Sequence, residues 1–434
     1  GNGIGDIYGI IDKLDYIKSL GVNMIWICPI YSSPNDDNGY DISDYRKISE
    51  EFGGNKAFDI LLNEMHKRDL KLIMDLVANH SSDEHWWFEE SKKGEDNPYH
   101  NYYFWKKGKA DKPPNNWLSV FSGSAWEWDP NLNKYYLHSF TKKQPDLNWE
   151  NPKVREEIYD ILNFWFSKGV DGFRMDVISF ISKRLDFPQA KRGSTLSEMM
   201  ENIYANGPRI HEYLKEMNEK VLSKYDIVTV GEGPGVNLET GLNYVDKKEK
   251  ELNMVFHFDH LQIDFGPEGK FDPQPIDFLK FKKVFSDWDS LLRNKGWNSI
   301  FLGNHDFSRI VSRFGNDQKY RYESAKLLAT LLMTLRGTPY VYQGDEIGMT
   351  NVKYPSIDYY DDVETRNAWK EAKGNNKNMD DFLKAVHRQS RDNARTPLQW
   401  NDTEFAGFST NKPWIDINLH YKKINVESEE DNPD

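Results

Sequence analysis

A chain of 434 residues is long enough for one large domain with insertions or for two or three domains. Its net charge of −13, from 56 Lys and Arg against 69 Asp and Glu, argues against nucleic acid as the main partner, and no apolar run reaches membrane-spanning length. The one cysteine, Cys28, excludes intrachain disulfides and a cysteine-based zinc site; with no signal peptide in view, the expected location is a reducing compartment, the cytoplasm.

The first predicted element is a helix over 7–20 (IYGIIDKLDYIKSL), apolar at helical spacing and stopped by Gly21. A buried-strand run, NMIWICP (23–29), follows and ends at Pro29. A second helix over 57–70 leads to the strand KLIMDLV (71–77). A third, over 152–168, opens on Pro152, stops at Gly169 and leads to the strand GVDGFRMDV (169–177). Helix 208–225 precedes strand DIVTVGE (226–232), and MVFHF (254–258) is a further strand. Helix 276–295 precedes NSIFLGNHD (298–306), and helix 320–336 precedes PYVYQGDE (339–346). Seven strand–helix units with strands apolar on both faces predict a parallel sheet, and this many favour a (β/α)8 barrel over an open doubly wound sheet. No G-x-G-x-x-G follows a strand, so a dinucleotide fold has no support. The chain opens on a helix and pairs no strong strand with a helix after residue 400, so the first strand and the last helix of such a barrel are expected to be missing.

Roughly 75 residues separate the 71–77 strand from the 152–168 helix, far more than an ordinary βα loop. They are dense in aromatics (HWWFEE, YHNYYFW, PPNNWLS, GSAWEWD) in a chain that is 14% aromatic overall. Such a segment reads as a small lid domain on the barrel's C-terminal face, its rings mostly lid core with one or two lining a cleft. The expected organisation is barrel over 1–80, lid over 81–150, barrel over 151–350, then a second insertion and an incomplete barrel end over 351–434. DKKEKE (246–251) is expected to be a solvated charge run, Cys28 buried filler, and the tail 425–434 loose.

In a barrel the reactive groups sit where strands end. The strand ends here carry DLVANH (75–80), Arg174 and Asp176, Glu232, and His305 with Asp306. Three carboxylates from three strands, Asp176, Glu232 and Asp306, are expected to converge, and like charges in one cleft push at least one pKa up. That splits them into an ionised nucleophile and a protonated acid, the pair that glycoside hydrolysis requires. Arg174 and Asp176, two apart on a strand, share a face, so the guanidinium is expected to hold that carboxylate ionised and aimed. Alone, the pair reads equally well as a structural ion pair. His80 and His305 read as core histidines or sugar contacts, and no H-E-x-x-H zinc motif occurs.

At these residues the sequence resembles the α-amylase superfamily of glycoside hydrolases (family 13), closest to its branch of oligo-1,6-glucosidases (isomaltases) and dextran glucosidases. DLVANH, GFRMDV, TVGE and NHD resemble its four ordered signatures, and QPDLN (144–148) a further one near the end of the lid. The resemblance implies Asp176 as nucleophile, Glu232 as acid/base and Asp306 as transition-state stabiliser. It implies that Asp37, Tyr40, His80, Phe121, Arg174, His305 and Arg391 hold the non-reducing glucose, with Asp37 and Arg391 closing the pocket's end for exo action. Glu364 would touch the leaving sugar, and Val177 after the nucleophile goes with α-1,6 preference where threonine goes with α-1,4. Gly233-Pro234 after the third motif and Phe307-Ser308 after the fourth depart from the family's usual residues, and the family's small C-terminal β domain is expected to be absent from this chain. GNGIGD (1–6) resembles the tail of a metal loop, implying Asn2, the Ile4 carbonyl and Asp6 as ligands of a structural Ca²⁺; catalysis itself needs no cofactor.

The function these residues imply is a retaining exo-α-glucosidase acting on α-1,6 bonds of isomalto-oligosaccharides through a glucosyl-enzyme, without nucleic acid or membrane partners and as a monomer or weak homo-oligomer. Trehalose-6-phosphate hydrolysis, sucrose isomerisation or α-1,4-glucosidase action on the same acids are alternatives; the R-L-D-R-D loop of sucrose isomerases is absent. A non-catalytic barrel like the transporter chaperones is the reading of a different class, opposed by the retention of all three acids.

Overall fold

The computed structural model describes residues 2–109, 112–430 and 432. They divide into two compact units. The first runs from Asp6 to Phe258 with Ser290–Trp297; the second is built mainly from Asp259–Asp289 and the chain from Asn298 on, with the N-terminal residues up to Gly5.

The first unit is organised on a five-stranded sheet, in the order Met24–Trp26, Lys71–Val77, Gly172–Asp176, Val228–Gly233, Met254–His257, every pair parallel. Strand 71–77 is buried at every position but Lys71, as a strand covered on both faces must be. The register sets Asp75 opposite Arg174 and Val77 opposite Asp176, so the carboxylate-bearing strand ends lie level. At Gly172 a Cβ would meet the Val228 carbonyl oxygen at 2.0 Å; only glycine lets these two strands approach. Helix Pro152–Lys168 forms as its sequence dictates. Pro152 opens it, the Asn151 side chain caps it by accepting from Lys153 N, and Gly169 (φ 102°) closes it. Its face of Val154, Ile158, Ile161, Leu162 and Trp165 is buried.

The inserted segment builds a three-stranded antiparallel sheet, Trp105–Lys106, Lys134–Leu137 and Trp126–Asp129 in that order. Most of its rings are lid core, as expected: Trp87, Phe88, Tyr102, Tyr103, Trp105, Trp117 and Trp126 are buried, while Trp86 and Trp128 are exposed. Its end is tied to the 71–77 strand, with Trp149 Nε1 donating to the Ala78 carbonyl (2.7 Å) and Leu147 N to Asn79 O (2.8 Å).

The second unit carries a parallel pair, Ser299–Ile300 with Thr338–Pro339, and the helices Phe278–Leu292, Arg321–Thr334, Val363–Gly374 and Met379–Gln389. Its core gathers Ile263, Phe281, Phe285, Ile300, Leu302, Val311, Phe314, Leu328 and Leu332.

Several expectations are corrected. The helix over 7–20 is two, Ile7–Asp12 and Leu14–Ser19, broken where Lys13 leaves helical geometry (φ −109°, ψ 6°). The strands expected over 298–306 and 339–346 shrink to two residues each. Past Ile300 the chain turns, with the Asn304 side chain accepting from Asp306 N (2.8 Å), and left-handed Gly344 opens a 3₁₀ turn at Asp345–Ile347. Side-chain-to-backbone bonds and glycine dihedrals override β propensity there. In the 246–251 run Glu251 is buried and paired with His211 (2.9 Å). The tail is not loose throughout: Val426–Glu430 is helical, and Glu429 bonds Arg321 (2.9 Å). Cys28 is half-buried.

Candidate active site

In the first unit the parallel register brings three carboxylates onto one guanidinium. Arg174, 1% exposed, contacts Asp176 Oδ1 through Nη1 at 2.7 Å, Asp75 through the same nitrogen at 3.0 and 3.1 Å, and Glu232 Oε2 through Nη2 at 2.7 Å. The expected Arg174–Asp176 contact is therefore present, and Glu232 is brought to the same group. Asp75, read only as a strand-end residue, is the third member. Tyr40 OH (3.0 Å) and Trp26 Nε1 (3.2 Å) both donate to its Oδ2. Trp26 also faces the guanidinium, its ring centre 4.9 Å away.

Burial pushes the Asp176 carboxyl well above the ordinary carboxylate range; Arg174 opposes this, and Glu232 and Asp75 add to it. The expected pull of Arg174 toward the ionised form of Asp176 is thus present, and burial outweighs it. One cation is shared among three buried carboxylates, Asp75, Asp176 and Glu232, which favours the protonated form of Asp176.

Beyond Asp176 the chain turns sharply. Val177 is left-handed (φ 33°, ψ 43°), an outlier for a β-branched residue, and its N–H donates to Glu232 Oε2 (3.0 Å). Beside this cluster His80 is buried, and burial depresses its pKa to about 4, so the ring is neutral near pH 7. Gln144 Nε2 lies 3.2 Å from His80 Nε2 and donates to Asp37 Oδ2 (3.1 Å), so one lid amide ties two expected sugar-binding residues. Phe121 packs on Phe140 (5.6 Å between centres), which packs on His80 (5.0 Å). A buried ammonium completes this region: Lys183 Nζ contacts Asn79 Oδ1 (2.6 Å) and Asp146 Oδ2 (2.9 Å), and Asn79 Nδ2 reaches His80 Nδ1 (3.2 Å).

The second unit holds Asp306 in a different setting. Its Oδ1 meets Arg391 Nη1 (3.0 Å) and Arg395 Nη2 (3.3 Å), and its Oδ2 meets His305 Nε2 (3.2 Å). Burial alone would raise this carboxyl, but His305, Arg391 and Arg395 outweigh it and hold it well below the ordinary range. Both arginines also reach Asp362, whose carboxyl burial would raise but Arg391 and Arg395 bring to about 2. Glu364 pairs with Lys270 Nζ (2.6 Å), which donates as well to the Asp306 carbonyl (3.0 Å).

Two of the residues expected at a calcium site make local hydrogen bonds. Asn2 Oδ1 accepts from Ile4 N (3.1 Å), and Asp6 Oδ1 accepts from Gly9 N (2.7 Å) as the cap of the Ile7–Asp12 helix. Among the described residues no group of three or more His, Cys, Asp or Glu side chains could hold a metal ion, and no helix is long and apolar enough to cross a membrane.

The comparison with known families bears directly on these clusters: the alpha amylase catalytic domain model matches residues 1–434. The chain belongs to the α-amylase family. It is a glycoside hydrolase of (β/α)8-barrel class, the fold the strand–helix alternation predicts. The oligo-1,6-glucosidase of Parageobacillus thermoglucosidasius is 57% identical to it over 435 residues, covering 100% of this chain and 77% of that protein. The trehalose-6-phosphate hydrolase of Bacillus subtilis is 49% identical, covering 99% of this chain and 76% of that protein. The isomaltulose synthase of Klebsiella sp. LX3 superposes with a TM-score of 0.97 at 48% identity, over 99% of this chain and 77% of that one.

In these two clusters, the residues that sequence reasoning missed are those whose partners lie far along the chain. Asp75 stood inside a recognised motif, the one signal the sequence offered, and only the strand register pairs it with Arg174. Arg395 follows Arg391 by four residues, a spacing that places two cations together. Lys270, in the 269–273 strand, carried no signal at all.

Proposed function

We propose that the protein is a retaining exo-α-glucosidase that cleaves α-1,6-glucosidic bonds at the non-reducing end of isomalto-oligosaccharides. The observation that carries the reading is the single guanidinium of Arg174 contacting both Asp176 and Glu232. Two carboxyl groups bridged this closely suit the roughly 5–5.5 Å separation of a retaining pair better than the wider gap an inverting enzyme leaves for water. Asp176 attacks the anomeric carbon as the glycosidic C–O bond breaks, and Glu232 delivers its proton to the departing oxygen. Water, deprotonated by Glu232, then displaces Asp176 and releases glucose with its α configuration retained. Asp306, held anionic by its two arginines, stabilises positive charge on the sugar. In this reading Glu232 is the proton donor and Asp176 attacks as the carboxylate.

Asp37, Tyr40, His80, Phe121, Arg174, His305 and Arg391 are the proposed contacts to the glucose, and Glu364 to the leaving sugar, with Lys270 added by its ion pair to Glu364. A neutral leaving sugar is favoured over a phosphorylated one by charge balance. The cations at Asp306 (Lys270, Arg391, Arg395) face as many carboxylates (Asp306, Asp362, Glu364), so no net positive charge awaits a phosphate. The reading includes a monomeric or weakly oligomeric cytoplasmic enzyme that needs no catalytic cofactor. It also includes a structural Ca²⁺ at the opening residues: a drop in melting temperature on chelation supports the ion, and no change removes it. The deciding experiment is a panel of isomaltose, maltose, trehalose-6-phosphate and sucrose. Isomaltose is expected to be cleaved fastest; faster turnover of the phosphorylated sugar, or isomerisation of sucrose, would overturn the assignment.

A further inference from the structure

Glu232 has two oxygens, and the structure treats them unequally. Oε2 has a cation beside it, Arg174 Nη2 at 2.7 Å, and accepts the Val177 N–H at 3.0 Å. Among the described residues none hydrogen-bonds to Oε1. A proton on Oε2 would point at a guanidinium and at an N–H, whereas an Oε2 acting purely as acceptor satisfies both.

The N–H that makes this distinction is held in place at a cost. A buried, β-branched residue in left-handed geometry loses about 1–3 kcal/mol, and such strain persists only where the surroundings over-determine it. They do so here through the segment that carries Glu232. The next residue, Ile178, packs where a Cβ on Gly231 would sit, 2.7 Å from its Cγ2. Ser179 Oγ donates to the Pro234 carbonyl (2.9 Å), and Phe180 N closes the turn on Val177 O (2.8 Å). The turn after Asp176 is therefore clamped to the Val228–Gly233 strand on both sides of Glu232, and the Val177 N–H has one direction available.

We infer that Val177 is a positioning residue whose main-chain N–H, together with Arg174, reserves Oε2 as an acceptor and so places the transferable proton of Glu232 on Oε1. The inference rests on the reading of Glu232 as proton donor and adds which atom donates and what fixes it. Valine at this position then acts through its backbone as well as through its side chain.

Exchange of the Val177 amide for the matching ester, by incorporating the α-hydroxy analogue of valine, removes the N–H and keeps the side chain. Aryl α-glucosides of nearly equal shape report the consequence. Phenyl α-glucoside has a poor leaving group that needs the proton, and 4-nitrophenyl α-glucoside needs it far less. The ester enzyme is expected to lose about ten-fold or more in kcat/KM on the phenyl substrate, the scale of one hydrogen bond to a charged group, and several-fold less on the nitrophenyl one. Equal losses on both would overturn the inference. Val177→Gly, which retains the N–H, should lose similarly on both substrates; a selective loss there would assign the effect to the side chain instead and also overturn it. Glu232→Gln separates the two levels. If it shows no leaving-group selectivity, the acid assignment itself fails; if it does and the ester does not, only the role of Val177 falls. Neutron diffraction of the unmodified enzyme decides independently of how the ester protein folds: deuterium is expected on Oε1 of Glu232, and deuterium on Oε2 would end the proposal.

Discussion

The two acidic clusters use the same chemical groups and arrive at opposite electrostatics. Around Arg174, one cation serves three carboxylates, Asp75, Asp176 and Glu232, and Asp176 is pushed up. Around Asp306, three cations serve three carboxylates, with His305 besides, and Asp306 is pulled down. Asp306 is half-buried, its side chain 26% exposed against 8% for Asp176, yet burial raises both carboxyls; what gives them opposite directions is the ratio of cations to carboxylates. A cluster short of positive charge favours the protonated form of a carboxyl, as acid–base chemistry needs. A balanced cluster keeps a fixed anion, as stabilisation of a cationic transition state needs.

The largest effect expected from breaking this contrast is on turnover. Asp176→Asn and Glu232→Gln should each lower glucose release from isomaltose by at least about 10³-fold, since each group forms or breaks a bond to the reacting atoms. Normal hydrolysis by Asp176→Asn would refute the assignment. Next, Arg174→Met should destabilise the fold by about 3–5 kcal/mol in denaturant unfolding, because it strands three buried carboxyls without their shared cation.

Stability should then separate the clusters by sign. A carboxyl raised on folding is penalised as the anion, so Asp176→Asn should melt higher than wild type near neutral pH. That gain should vanish below about pH 4, where the group is protonated folded or unfolded. Asp306 is depressed on folding, so its contribution is present above about pH 4 and lost as pH falls through its native pKa. Asp306→Asn should cost roughly 1–2 kcal/mol at pH 7. Equal signs for the two substitutions, in melting scans across pH, would dissolve the comparison. The same raised Asp176 sharpens the pH–rate profile. The carboxyl attacks only when ionised, so the acid limb of kcat/KM should lie above the ordinary carboxylate range rather than within it. The smallest effect concerns linkage: Val177→Thr should shift the isomaltose-to-maltose ratio of kcat/KM toward maltose by about ten-fold or less, the scale of one small change in a pocket.

Much of the site was legible before any coordinates. Asp176 and Glu232 sit at strand ends, where a barrel exposes its chemistry, Asp306 follows its short strand after a turn, and Arg174 shares a strand face with Asp176 as period-two spacing requires. The helix 152–168 and strand 71–77 were readable to the residue, because Pro152, Gly169 and a run that is apolar but for Lys71 and Asp75 are local signals. The failures have a common cause. NSIFLGNHD and PYVYQGDE look like strands by composition, yet most of each is turn, because Asn304 and Gly344 set the backbone locally.

What the amino-acid sequence determined on its own was therefore the order of elements, the residue types at strand ends and the family to which they belong. These rest on near-neighbour preferences and on motifs a few residues long. What only the tertiary structure decided was which carboxylate shares which cation: that Asp75 joins Asp176 and Glu232 on Arg174, that Lys270 finds Glu364, and that Asp176 is raised while Asp306 is lowered. Charge–charge energies depend on distances of a few ångströms between residues tens or hundreds of positions apart, and no local pattern in a chain encodes those distances.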